Sequence, residues 1–108
     1  MKDNKVYLEH IIGAIEQIEI YLQGVDYKIF IKDDMLMDAV IRELEIIGEA
    51  ANNVSQDFQD RHQDIPWSKA ISLRNKLSHE YFGVDLKVVW NTCQKDLPEL
   101  KEQLKKII

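Results

Sequence analysis

The ten residues from Arg74 to Gly83, RNKLSHEYFG, bring a guanidinium, a carboxamide, a hydroxyl, an imidazole and a phenol together just before a glycine. An arginine and a neutral histidine are a sufficient minimum for metal-free cleavage of a phosphodiester. The guanidinium of Arg74 would hold phosphate oxygens in a planar fork and stabilise the charge that develops in the transition state. The imidazole of His79, a group that ordinarily titrates near pH ~6.5, would take the proton from a ribose 2′-hydroxyl or return one to the leaving oxygen. One histidine does not easily act as base and acid on opposite sides of a phosphorus. A two-fold dimer supplies two. The same residues could bind phosphate without cutting, or merely cover the wet side of a helix, since an arginine and a histidine at this spacing recur by chance. What favours a site is their clustering beside a glycine stop, where a chain can close over a ligand.

On a helical wheel at about 100° per residue, Ala70, Leu73 and Leu77 share the buried side. His79 falls roughly opposite, with Asn75 one turn earlier, while Arg74, Ser78 and Tyr81 lie on an intermediate flank. His79 therefore reads as facing water or a second surface.

The elements that must carry this stretch are helical almost throughout. A first helix is expected from about Lys5 to Gln23, capped by Asp3 or Asn4 and stopped near Gly24. Leu8, Ile11, Ile12, Ile15, Ile18 and Leu22 mark its buried face, with Tyr7, Ala14 and Tyr21 beside it. VDYKIFIKD reads as a turn or a short helix. A long helix then starts after Asp33 or Asp34. Its Met37, Val40, Leu44, Ile47, Ala51, Val54 and Phe58 alternate steps of three and four without a break. Leu36, Ala39, Ile46 and Ala50 add a second stripe, and a helix apolar on two faces must pack against two things. In so short a chain the second could be another subunit. Gly48, Ala50 and Ala51 of IIGEAA either admit another subunit's backbone or fill the chain's own core, and the pattern favours neither.

QDRHQDIPW reads as a polar loop, with Pro66 in the first turn of the motif helix and Asp64 or Ile65 as its cap. That helix should end near Gly83, which can take up the left-handed C-cap conformation. Asp85 can cap the next helix, through Val88, Val89, Trp90 and Cys93. DLPEL looks like a fresh start, with Asp96 as N-cap, Pro98 in the first turn and Glu99 completing a capping box. The stripe Trp90, Cys93, Leu97, Leu100, Leu104 and Ile107 crosses that joint. No strand reading competes. The expected fold is a single all-α domain over residues 1–108, a bundle of four to five helices.

Composition narrows the function. A net charge of −5 excludes a generic basic nucleic-acid binder, so any polyanion needs a local site. Arg42, Arg61, Lys69, Arg74 and Lys76 are the candidates for a positive groove. His10, His62 and His79 stand on separate segments without zinc spacing, so no metal or other cofactor is expected. The acid pairs Asp33–Asp34 and Glu43–Glu45 read as caps and solvated face. Cys93 lies on an apolar stripe, more a core residue than a nucleophile, and Trp67 and Trp90 look like packing residues at helix ends. A lone cysteine suits a reducing compartment. Glu9, Glu16 and Glu19 interrupt every apolar run of the N-terminal stretch, so neither a signal peptide nor a membrane span is expected and the reading is cytoplasmic.

Arg74, His79 and Tyr81 together spell R-x4-H-x-Y, and in this the chain resembles the HepT-like toxins of the HEPN superfamily. The similarity continues in order through IIGEA, IPW, RNKLSHEYFGVD, VVW and DLPEL, covering nearly the whole chain. Asn75, the polar residue directly after the motif arginine, is a further superfamily feature. The resemblance implies an HEPN-like α-helical homodimer acting as a metal-independent endoribonuclease on RNA. Arg74 and His79 would be catalytic at the dimer cleft, with Asn75 and Ser78 in support. It implies the toxin half of a type VII toxin–antitoxin module, partnered by an MntA-like minimal nucleotidyltransferase antitoxin that attaches AMP to the motif tyrosine, here Tyr81. Such AMPylation would add bulk and negative charge beside Arg74 and His79, competing with substrate phosphate. The acidic balance supports a different reading, a helical interaction module that binds the nucleotidyltransferase and cleaves weakly or not at all.

Overall fold

Asp3 holds an extended backbone and its carboxylate accepts from the Lys5 N–H at 3.2 Å, and α1 (Asn4–Tyr21) begins there. The computed structural model describes residues 3–79 and 85–108, with His79 described by its backbone alone. Past α1 the chain turns at Gly24, whose φ of 71° is the left-handed conformation that glycine tolerates best. Leu8, Ile11, Ile15 and Ile18 are buried as the spacing requires, and so is Ala14; Ile12 and Leu22 are only half-buried. VDYKIFIKD contains one helical turn, α2 (Tyr27–Phe30), capped by Asp26 onto the Ile29 N–H at 2.9 Å.

The central element is α3 (Asp34–Asn53), started by the Asp33 carboxylate on the Leu36 N–H at 3.0 Å. It does not run on to Phe58. Val54 turns extended, and the Ser55 hydroxyl accepts from the Phe58 N–H at 3.2 Å to start a separate α4 (Gln56–Arg61). Asn4 secures the break from the other side: its Nδ2 donates to Ser55 Oγ at 3.1 Å and its Oδ1 accepts from the Ser55 N–H at 3.0 Å. The apolar period survives because Val54 is buried and Phe58 packs against the same core. Periodicity reports burial, not helical continuity. The polar loop is correspondingly shorter than expected, since Gln59, Asp60 and Arg61 belong to α4.

Helix α5 (Trp67–His79) follows Pro66, whose carbonyl accepts from the Ala70 N–H at 3.2 Å. Trp67 is buried, and its indole N–H donates to the His62 carbonyl at 3.0 Å. The expected helix end at Gly83 lies outside the described residues.

Asp85 caps α6 (Leu86–Asn91) through the Lys87 N–H at 2.9 Å, as expected. The expected restart at Asp96 does not occur. Asp96 has helical angles (φ −75°, ψ −41°) and makes no capping bond; α6 passes through a π turn (Thr92–Asp96) directly into α7 (Leu97–Lys105). The Leu97 N–H bonds the Thr92 carbonyl five residues back. Pro98 explains the widening, because it lacks an N–H and its ring clashes with the carbonyl four residues earlier in a regular α-helix.

Four rods therefore make the bundle: α1, α3, α5 and the α6–π–α7 rod, with α2 and α4 as short connectors. Among the described residues there is no strand, and no helix is long and apolar enough to cross a membrane. α3 lies between α1 and α5, which cover most of both apolar stripes within one chain and leave Leu36, Ala39 and Ile46 half-buried. Ala50 and Ala51 are buried there, at 5% and 1% exposure, which favours the core-filling reading of the small residues. Phe30 and Trp90 meet at 5.3 Å between ring centroids and join α2 to the last rod.

Candidate functional site

The motif helix is placed by an absent side chain. A Cβ on Gly48 would lie 2.8 Å from the Ala70 carbonyl oxygen and 2.9 Å from Arg74 Cγ, and closer still to Arg74 Cβ. α5 thus rests on α3 at Gly48, with the stem of Arg74 across the gap. Arg74 is half-buried, and its Nη1 donates to Asn75 Oδ1 at 2.9 Å. One turn further along, exposed Ser78 donates from Oγ to Glu45 Oε2 at 3.2 Å. Since Glu45 faces Ser78 and Gly48 faces Ala70 and Arg74, α3 and α5 run antiparallel.

Arg74, Asn75 and Ser78 thus occupy one stretch of α5, as the spacing indicates. His79 is helical in its backbone; its side chain, and Tyr81 altogether, lie outside the described residues. Two neighbours were not read as part of the site. Gly48 was legible only as a site of close approach, and Glu45 was taken for solvated face but is half-buried and bonded to Ser78. The signal for Glu45 was its place one turn before Gly48 on the same face.

The expected positive groove is reduced. Arg61 pairs with Asp57 at 3.2 Å and Lys69 with Asp96 at 2.9 Å, which cancels two of its five charges locally. Between α3, α5 and the last rod lies instead an open, mostly apolar groove of about 510 Å³, walled by Leu44, Ile47, Leu73, Leu97 and Leu100, with Lys76 also lining it.

Other chemistry-bearing residues have structural surroundings. Burial pushes the Cys93 thiol up to about 12, so the thiolate needed of a nucleophile is not formed near neutrality. His62 stacks on Phe58 at 4.4 Å and His10 meets Tyr7 edge-on at 6.4 Å, on separate elements as their spacing indicates. Trp67 and Trp90 both pack against the core.

Residues 11–107 match the family model described as "Ribonuclease HepT-like". The chain is 42% identical over 108 residues to "Putative RNase TTE0752" of Caldanaerobacter subterraneus subsp. tengcongensis, covering 100% of this chain and 96% of that protein. It is 44% identical over 106 residues to "Probable ribonuclease HepT" of Thermococcus cleftensis, covering 98% and 96%. A third relative, "Gamma-glutamylcyclotransferase and putative RNase MJ0434" of Methanocaldococcus jannaschii, is 44% identical over 107 residues, 99% of this chain but 48% of that protein. No solved structure gives a significant match. With a bundle of helices, a seated arginine in an R-x4-H-x-Y motif and a family match over nearly its whole length, this chain belongs to the HepT-like ribonuclease family of the HEPN superfamily.

Proposed function

We propose that this chain is the toxin of a type VII toxin–antitoxin module, a metal-independent endoribonuclease that works as a homodimer through Arg74 and His79. The observation that carries this reading is the seating of Arg74. Its stem is held over Gly48 and its guanidinium is bonded to Asn75 on the helix that also carries His79. A guanidinium restrained in this way needs little reorganisation to accept a phosphate in its planar fork.

In the proposed reaction one histidine takes the 2′-hydroxyl proton, the 2′-oxygen attacks phosphorus, and the bond to the 5′-oxygen breaks. The histidine of the second protomer returns a proton to that oxygen. The products are a 2′,3′-cyclic phosphate and a 5′-hydroxyl, and Arg74 stabilises the charge on the phosphorane oxygens. The dimer uses what remains open of the second stripe of α3, where Leu36, Ala39 and Ile46 are half-buried. The antitoxin is an MntA-like nucleotidyltransferase that transfers AMP from ATP to the Tyr81 hydroxyl, releasing pyrophosphate. The adduct places a phosphate beside the arginine that would otherwise hold RNA.

Cleavage of single-stranded RNA in EDTA, yielding a cyclic phosphate end and lost in His79→Ala, is the expected result. Full activity in His79→Ala would refute the catalytic assignment. Sedimentation of the chain as a monomer at micromolar concentration would refute the dimer. Mass spectrometry after incubation with the nucleotidyltransferase, ATP and magnesium should place AMP on Tyr81 and nowhere else.

A second reading has its own support in the paired Arg61 and Lys69 and the acidic surface: an interaction module that binds the nucleotidyltransferase without cutting RNA. Binding of that partner by a chain with no cleavage under any of these conditions would decide for it.

A further inference from the structure

The position of Arg74 is set from the neighbouring helix, and we infer that Gly48 and Glu45 of α3 are positioning residues for the site on α5. The inference rests on the reading of Arg74 as the phosphate-binding group. Gly48 sits inside a long helix, where glycine is about 0.5–1 kcal/mol less favourable than alanine. Its backbone does not require glycine; among the described residues only Gly24 has positive φ. Space requires it, because an added Cβ would meet Arg74 Cβ and Cγ and the carbonyl oxygen of Ala70. The carbonyl belongs to the helix backbone and cannot rotate away, so a methyl group there must push α5 off α3 by an amount on the order of 1 Å. A misplacement of that size can cost about 10²-fold in rate.

Glu45 supplies the second point of attachment. It lies three residues before Gly48 on the same face and accepts from Ser78, four residues after Arg74. A helix touching its neighbour at one point can roll about that point. Two contacts a turn apart restrain both roll and sliding, and they bracket the segment from Arg74 to the residue before His79. Neither Gly48 nor Glu45 need touch RNA; both act through α5.

The test uses the whole chain and a defined RNA oligonucleotide in EDTA, well below the melting temperature. Gly48→Ala should lose kcat by about 10²-fold with little change in KM. Glu45→Ala should also lose kcat, and Glu45→Gln, which keeps an acceptor oxygen for Ser78, should recover it. Ile15→Val, a buried position of α1, which packs chiefly on α3 and α7, should lower the melting temperature and leave kcat unchanged, so that lost stability alone is separated from lost positioning. If Arg74→Ala cleaves at the full rate, the parent reading fails. If Arg74→Ala is inactive while folded Gly48→Ala or Glu45→Ala has native kcat, the inference alone is overturned. Should Gly48→Ala not fold, the Glu45 pair decides: loss rescued by glutamine supports the inference, and equal rates in both variants and the native chain refute it.

Discussion

Replacing Arg74 by methionine, alanine and lysine in turn separates what its stem does from what its head does. The stem lies over Gly48 and the side chain is half-buried. Arg74→Ala removes Cγ and Cδ; at ~0.8 kcal/mol for a fully buried methylene, and with burial only partial, the loss should come to about 1 kcal/mol. For a domain of this size that lowers the melting temperature by about 4–8 °C. Arg74→Met keeps an unbranched stem and should stay within about 0.5 kcal/mol of the native chain. Both should cleave at least 10²-fold more slowly, roughly the effect of removing one preorganised donor from a developing oxyanion. Arg74→Lys retains the charge without the fork and should also fail. Circular-dichroism melts and gel-resolved cleavage of end-labelled RNA in EDTA provide the two readouts. Native cleavage by Arg74→Met would refute a role for the guanidinium, and identical melting of the methionine and alanine variants would refute the seating of the stem.

Gly13 is exposed in α1 with nothing within 4 Å of where a Cβ would stand, so Gly13→Ala should stabilise by about 0.5–1 kcal/mol in a thermal melt. Ser55→Ala should cost about 1 kcal/mol by removing the α4 cap, and adding Asn4→Ala should cost less than it does alone, because the two share a bond. Cys93 should make stability fall in alkali: the unfolded thiol loses its proton from its ordinary 9.0 upward, whereas the native thiol holds it until about 12. Between those limits the native state binds more protons, so this group subtracts about 1.4 kcal/mol per pH unit. Cys93→Ala should lose that slope in urea titrations between pH ~9 and ~11, and an unchanged slope would count against the burial.

Legibility in the sequence followed the range of the interaction. Asp85 was readable as a cap, and Asp3 and Asp33 each as one of two adjacent candidates, because a cap is settled within three residues. The break at Ser55 was not, since Asn4, its partner in two hydrogen bonds, is remote in sequence and the apolar period passes through undisturbed. Asp96 shows the converse. Its local capping signal is genuine, but Lys69 holds the carboxylate at 2.9 Å and the helix continues through it. At the candidate site, Arg74, Asn75 and Ser78 were legible as a cluster on one helix. The pairing of Gly48 with Arg74 and of Glu45 with Ser78 was not, because it depends on how two helices slide past one another, which neither pattern encodes alone.

The π turn at Thr92–Asp96 also acts as a phase shifter. In an unbroken α-helix each four-residue step drifts by about 40°, so Val89, Cys93 and Leu97 would spiral off a common line by about 80°. The wider turn absorbs that drift, and all three are buried. Beyond it, α7 emerges in the one orientation that turns Leu100 and Leu104 inward and brings Lys101 within 2.7 Å of Glu19. A chain shortened by one residue inside this turn could relax to a plain α-helix, locally more regular. Seven steps at about 100° fall only about 20° short of two full turns, so α7 and the Lys101–Glu19 pair would keep nearly their native phase. The turn thus lodges one residue more than a plain α-helix needs, and deleting the exposed Gln94 or Lys95 should be tolerated better than deleting a residue within α7, which would swing everything beyond it by about 100°.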